Sequence, residues 1–230
     1  MKYNPFEKFQ SFCSSPLSKH RLRRFIFHFY KKYVSYIFYF YRKYQSKAMV
    51  NKLIKEKNEI FIELGGGEKR GAKNWINLDK NNECDIYCDL RQGIPFPDSS
   101  ISMIYSSHFF EHLSYDEGQS LLDECKRVLK LGAQFSICVP NARIYIEGYL
   151  KNRNMNNYYR WDESFNKTTG IDSVNYIAYM DGEHKYMFDE ENLLHILREK
   201  GFKNVSLRKF DKDIDKIDRD FESIYAKGTK

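Results

Sequence analysis

Two hydrophobic patterns divide the chain. From His20 to Val50 the apolar positions are crowded and mostly aromatic, and Tyr33 to Tyr41 is almost wholly aromatic and aliphatic. Lys31, Lys32, Arg42 and Lys43 bracket that run. Helical spacing would align Phe25, Phe29, Tyr33, Tyr36 and Phe40 in one stripe. After Glu56 the pattern changes to short apolar runs alternating with amphipathic segments. Strands are predicted over Ile60–Leu64, Trp75–Leu78, Asp85–Cys88, Ile101–Ser106 and Gln134–Val139. A helix is predicted over Tyr115–Leu131, with Leu121, Leu122, Cys125, Val128 and Leu129 at helical spacing and Gly132 as its cap. Asn141–Tyr186 is long, polar and rich in Asn and Tyr, and reads as an insertion (about 142–188) covering a site. A second helix, Asp189–Lys200, stops at Gly201, and Val205–Phe210 with Ser223–Lys227 closes the chain as a strand pair. This alternation predicts an α/β fold with a mostly parallel sheet. The domain reading is an N-terminal arm, residues 1–55, followed by one domain, residues 56–230.

Charge sharpens the division. Twelve Lys or Arg and no acidic residue lie between Lys8 and Lys55, while residues 56–230 hold 25 basic against 30 acidic side chains. The net charge of +7 therefore belongs to the arm. A phosphate-binding groove across the main domain is disfavoured, because it needs a local positive field. The aromatic run is well short of the roughly 20 residues of a membrane-spanning helix. Residues 20–50 read either as an interfacial helix on anionic lipid or as a stripe packed on protein, and periodicity does not separate the two. Five cysteines, Cys13, Cys84, Cys88, Cys125 and Cys138, lack zinc-knuckle spacing and read as thiols of a reducing compartment. With no secretory signal pattern, the expected location is cytoplasmic, with peripheral contact on the inner membrane face left open. Oligomeric state is not legible.

The sharpest local signal is Ile60-Phe-Ile-Glu-Leu-Gly-Gly-Gly, an apolar strand running into glycines. Glycine serves where backbone approaches a ligand or takes positive φ, and ligands in such folds bind at the carboxyl ends of the strands. A tight turn without ligand gives the same pattern. A nicotinamide dehydrogenase is disfavoured: the third fingerprint glycine falls on Arg70, and Asp79 follows the glycines too soon. At the second strand's end, Asp79 suits a ribose diol. At the third, Asp89-Leu90 suits an adenine edge and face. Each acid alone equally suits a turn cap.

The blocks Ile94-Pro-Phe-Pro-Asp-Ser-Ser-Ile-Ser-Met-Ile-Tyr-Ser-Ser-His-Phe-Phe-Glu-His-Leu, Glu124-Cys-Lys-Arg-Val-Leu-Lys-Leu-Gly-Ala and Ile137-Cys-Val-Pro-Asn resemble the class I S-adenosylmethionine-dependent methyltransferases. They are nearest the small type-11-like branch associated with bacterial surface-glycan synthesis. The resemblance covers about residues 60–141. It continues weakly through Gly182-Glu-His-Lys-Tyr-Met-Phe-Asp and the final Ser223-Ile-Tyr-Ala-Lys. It implies a Rossmann-like sheet, S-adenosylmethionine as cofactor, Glu63, Gly65 and Gly67 around its methionine part, and Asp79 on its ribose. It also implies Asp89 and Leu90 at the adenine, and Ser106 to His108 beneath the sulfonium. One departure is the link of about eight residues from Gly67 to the second strand, where a parallel crossover normally takes a dozen or more. The first helix is expected to be shortened or missing.

His108-Phe-Phe-Glu-His112 would place two histidines on one helix face, a metal-ligand spacing, but the sequence offers only a remote third ligand in His184. A pocket-floor role without metal is the favoured reading. Methyl transfer needs alignment and often proton removal, so His108 is the first candidate base and His184 the second. The expected acceptor is small or sugar-like, a glycan hydroxyl above all, and nucleic acid is an unfavoured partner. The rivals are a non-catalytic module anchored by the arm, and an RNA or protein methyltransferase.

Overall fold

The structure, a computed structural model, describes residues 21–56, 58–67, 74–155 and 168–230. Cys13, Arg70, Gly71 and most of the Asn/Tyr-rich stretch from Asn152 to Trp161 lie outside the described residues, as do the side chains of Phe25 and Phe29. Two compact units are present, residues 1–45 and 46–230.

In the larger unit a seven-stranded sheet is built from β1 (Phe61–Leu64), β2 (Ile76–Asp79), β3 (Ile86–Tyr87), β4 (Ile101–Ser107), β5 (Leu129–Pro140), β6 (Lys203–Leu207) and β7 (Ser223–Thr229). Their order is β3-β2-β1-β4-β5-β7-β6. The first five pair in parallel, and β7 runs antiparallel to both neighbours. This is the Rossmann-like, mostly parallel α/β architecture that the alternation predicts. Among the described residues no helix lies between β1 and β2.

Successive residues of the central strands face opposite sides of the sheet, as a pleat requires. Ile104, Ile137, Ile224 and Ala226 join the main core, together with Leu121, Leu122, Cys125 and Val128 of helix α2 (Tyr115–Val128). Leu193, Ile196 and Leu197 of α5 (Glu190–Glu199) complete that layer. Their neighbours Tyr105, Cys138 and Tyr225 turn to the other face. There the Arg208 guanidinium grips Asp215, which also accepts from Tyr105 Oη at 2.8 Å.

α2 starts as its sequence dictates. Ser114 caps the Glu117 amide while the Glu117 carboxylate takes the Ser114 N–H, a reciprocal capping box. Its end differs from the prediction. The helix stops at Val128, and Leu129 turns extended to pair with Ile101 of β4. Gly132 is therefore no helix cap; it sits inside β5 at φ 78°. Leu129 is fully buried, and sheet pairing there outweighs the local helical periodicity.

Among its described residues, the segment read as a polar insertion contains helices α3 (Ala142–Leu150) and α4 (Asp172–Tyr179). Ala142, Tyr145, Tyr176, Ile177 and Met155 form a separate small core between them.

Helix α1 (Arg21–Glu56) is continuous. Its last turns belong to the larger unit: Val50 and Leu53 enter the main core, and the Ser46 hydroxyl accepts the Tyr87 N–H at 2.8 Å. In the smaller unit the residues from Tyr36 to Phe40 are all exposed, Ile37 by 68% and Phe40 by 63%. Among the described residues no helix is long and apolar enough to cross a membrane.

Candidate active site

The carboxyl ends of β1, β2 and β4 open onto a cleft of about 420 Å³, lined by Gly65, Asp79, Asp89, Leu90, His108 and Phe109 among others. Gly65 has φ 69°, and a Cβ there would lie 2.2 Å from the Phe109 ring. Only glycine permits this approach of the Phe109 ring to the first turn.

The glycine turn is tied down from within. The Gly65 N–H donates to Leu78 O at 2.9 Å, the Gly66 N–H to Asn77 Oδ1 at 3.2 Å, and the Gly67 N–H to Asp79 Oδ2 at 2.9 Å. Asn77 answers by donating to Gly67 O at 2.8 Å. A pyrophosphate cradle needs such amides pointing outward at a helix N-terminus. Here all three are engaged internally, which disfavours a dinucleotide on physical grounds. A cofactor without phosphate suits this turn.

Asp79 lines the cleft while its other oxygen accepts the Lys80 and Asn81 amides. A carboxylate has room for further donors such as a ribose diol. Asp89 caps the turn Leu90–Gln92 and holds Arg91 in a two-point pair at 2.9 and 2.7 Å. The Arg91 hydrogen bonds hold the Asp89 carboxyl below its usual range. Leu90 is buried against the core. Cys88 also lines this end, and burial pushes its thiol up to about 12, so it presents a neutral wall.

Two predicted cofactor residues lie behind the cleft. Glu63 is buried beneath the glycine turn, where a Cβ on Gly66 would lie 3.0 Å from its carboxyl carbon. Ser106 is fully buried, and its hydroxyl donates to Leu64 O at 3.2 Å, joining β4 to β1. Gly67 shapes the turn through Asp79. Gly65, Asp79, Asp89 and Leu90 come together on one wall.

His108 stands at the turn out of β4 with φ 49°. Its Nε2 lies 2.8 Å from Ser223 Oγ, whose own proton goes to Arg219 O at 2.6 Å. His108 Nε2 is therefore the donor, and in the neutral ring Nδ1 carries the lone pair. That Nδ1 is 3.6 Å from Glu111 Oε1. The helix that a metal-ligand spacing would need over His108–His112 is absent: only a single turn, Phe110–His112, follows the left-handed residue. His108 and His112 are thus no helical ligand pair.

A second pocket of about 580 Å³ adjoins the first and shares His108, His112 and Glu183 with it. Its further lining includes Glu111, Tyr176, Asp181, His184, Asp218, Arg219 and Glu222. His184 lines this pocket and not the cleft. It is buried, donates from Nδ1 to Ile177 O at 2.8 Å, and is kept neutral by desolvation, which lowers its pKa. Glu111 is 2% exposed, and burial pushes its carboxyl up to about 8 against the opposing pull of Arg219.

Asn77, Glu111, Arg219 and Glu222 escape sequence reasoning. Asn77 had a signal, the polar residue in a buried strand two places before Asp79. Arg219 and Glu222 had none, since they reach the pocket only through the antiparallel return of β7.

Residues 63–137 match a family model described as a methyltransferase domain. The matched stretch runs from the end of β1 into β5 and holds most of the residues that line the cleft. Solved structures similar to this chain include an S-adenosylmethionine-dependent methyltransferase from Archaeoglobus fulgidus (16% identity, TM-score 0.47, covering 80% of this chain and 92% of that one). A second is an S-adenosylmethionine-dependent methyltransferase from Mesorhizobium loti (15%, 0.48, 74% and 90%). A third is phosphoethanolamine N-methyltransferase 2 of Haemonchus contortus in complex with S-adenosyl-L-methionine (10%, 0.47, 80% and 52%). No curated protein matches the chain.

Proposed function

We propose that the chain, whose residues 63–137 match a methyltransferase-domain model, uses S-adenosylmethionine to methylate a hydroxyl of a sugar-like acceptor held in the second pocket. The observation that carries this reading is the junction of two pockets at His108, one at the strand ends beside the glycine turn, the other ringed by carboxylates. Asp181, Glu183, Asp218 and Glu222 offer acceptors to a polyhydroxylated ligand. That acidic lining also disfavours a nucleic-acid acceptor.

S-adenosylmethionine, when bound, supplies a methyl group on a sulfonium whose C–S electron pair leaves with the sulfur. Asp79 would hold the ribose, and Leu90 and Cys88 would flank the adenine. His108 Nδ1 would take the acceptor proton as the oxygen forms its bond to carbon, with Ser223 and the Arg219 carbonyl fixing the ring's tautomer. The resemblance to the glycan-synthesis branch supports the same acceptor class.

The test is release of S-adenosylhomocysteine in the presence of nucleotide sugars, free oligosaccharides, RNA and protein acceptors. Turnover confined to the carbohydrate set is the expected result. Turnover on RNA or protein alone overturns the acceptor, and no binding of S-adenosylhomocysteine at millimolar ligand favours a non-catalytic module.

We propose that the smaller unit's helix lies on an anionic lipid surface. Support comes from the exposed run Tyr36–Phe40 beside Arg42 and Lys43, the pattern of an interfacial helix. Flotation with phosphatidylserine vesicles and not with phosphatidylcholine vesicles is expected. Equal behaviour with both vesicle types overturns it.

A further inference from the structure

The most unusual chemistry outside the cofactor cleft is the meeting of Glu111, His112 and His184. The sequence separates the last two by more than seventy residues, yet their rings stand 5.1 Å apart at 76°. One ligand atom from each of the three residues lies within 4.8 Å of the others.

The hydrogen bonds fix which atoms face inward. His112 Nδ1 contacts Glu183 O at 3.0 Å, and His184 Nδ1 contacts Ile177 O at 2.8 Å. A carbonyl only accepts, so both rings donate from Nδ1, and both Nε2 atoms carry lone pairs. Pinning one ring nitrogen on a carbonyl so that the other offers its lone pair is the arrangement that orients metal-binding imidazoles. His112 Nε2 lies 4.0 Å from Glu111 Oε1. Glu111 Oε2 is fully buried and has no hydrogen-bond partner. Two imidazole lone pairs thus converge on a buried carboxyl, and a cation that displaces the carboxyl proton satisfies all three.

We propose that Glu111, His112 and His184 bind a divalent transition-metal ion, of which zinc is the reference, on the wall of the second pocket. Two nitrogens and one carboxylate oxygen form a donor set that this class of ion takes, with open positions left for a further ligand. Zinc ligands at about 2.0–2.2 Å require the three atoms to draw closer than they now stand. The exposed edge of His112, 35% exposed, permits that movement. The open positions face the pocket that also holds Asp181, Asp218 and Glu222.

The site itself stands on this geometry; its use in catalysis rests on the acceptor reading above. There Glu111, His112 and His184 would hold an ion that would bind the acceptor hydroxyl oxygen and make its proton more acidic. The proton passes to His108, the oxygen bonds to the methyl carbon, and the sulfonium sulfur leaves with the C–S pair.

The test uses the full chain, stripped with chelator, dialysed and reloaded with zinc or cobalt. One tightly held ion per chain is expected, with cobalt giving the visible absorption of a low-coordinate site and zinc raising the melting temperature. Glu111→Gln and His112→Ala should each weaken zinc binding by at least about tenfold and abolish the thermal shift. His112 is at the surface, so its variant keeps the test open if Glu111→Gln misfolds. No stoichiometric ion, or equal uptake by wild type and both variants, overturns the site. S-adenosylhomocysteine binding is measured on the same preparations of the wild-type chain. Metal uptake without that binding sinks the methyltransferase reading and leaves the site standing; that binding without metal uptake sinks the site alone.

Discussion

The cofactor cleft and the pocket beside it meet at His108, yet they are assembled in different ways. The cleft is made by consecutive strand ends: Gly65 follows β1, Asp79 ends β2, Asp89 follows β3 and His108 follows β4. Its parts arrive in chain order because a parallel sheet delivers every strand end to the same edge. The second pocket gathers Glu111 and His112 from the turn after β4, Tyr176 and His184 around α4, and Arg219 and Glu222 before β7. A site read from contiguous sequence serves the common cofactor, whereas one drawn from scattered segments is free to vary with the acceptor.

The largest expected effect falls on the residue the two regions share. His108→Gln should lower kcat by about 10²–10⁴ while S-adenosylhomocysteine affinity changes far less. Calorimetry beside single-turnover assays reads both, and a parallel loss of binding would make His108 part of the cofactor wall alone. Next comes the glycine turn. Gly65→Ala meets both the Phe109 ring and a left-handed backbone and should cost about 2–4 kcal/mol. Gly132→Ala, at φ 78° with nothing within 4 Å of the new Cβ, should cost only about 1 kcal/mol. Comparable melting points for the two variants would mean that the Phe109 contact is not what demands glycine.

Asp79→Asn should follow, weakening S-adenosylhomocysteine by about 1.5–3 kcal/mol, because Asn cannot serve the Gly67, Lys80 and Asn81 amides and a ribose diol together. An unchanged dissociation constant would remove Asp79 from the cofactor site. The smallest effect is a pH dependence. The Arg127 hydrogen bonds to Glu124, with the Ile94 amide, hold its carboxyl below the usual value. A depressed folded-state pKa adds stability above the unfolded value of about 4.3, and that stability is lost as pH falls through the folded value. Glu124→Gln should therefore flatten the acid side of the melting profile below about pH 4, and because the pair is only half-buried and solvent screens it the change is small. An unaltered acid limb would show that the pair adds nothing measurable to the 94–98 loop.

Much of this plan was legible from residues. The strand run into Gly65 and the acids at Asp79 and Asp89 depend on neighbours within a few positions. Misreadings arose where distant partners decided. Leu129 left its helix to pair with Ile101, and Gly132 went with it into the strand. The Asn141–Tyr186 stretch hid helices α3 and α4 because their apolar residues, Tyr145 and Tyr176, bury mainly against each other, with ring centroids 5.7 Å apart. Asp89 proved to be held by Arg91, two residues on, a pairing that sequence permits without requiring. Ser106 and Glu63 stand at the expected strand positions, and both are buried, one on each face of the sheet.

By itself, then, the sequence determined the alternating α/β plan, the glycine turn, the acids at the strand ends and the charge contrast between arm and domain. These follow from local periodicity and backbone sterics, which act over a handful of residues. Only the tertiary structure decided that His112 and His184 face one another across a buried Glu111, that Arg219 and Glu222 wall the same pocket, and that Ser223 fixes the tautomer of His108. Those contacts join segments tens of residues apart, and burial, which no short window of sequence records, sets their chemistry.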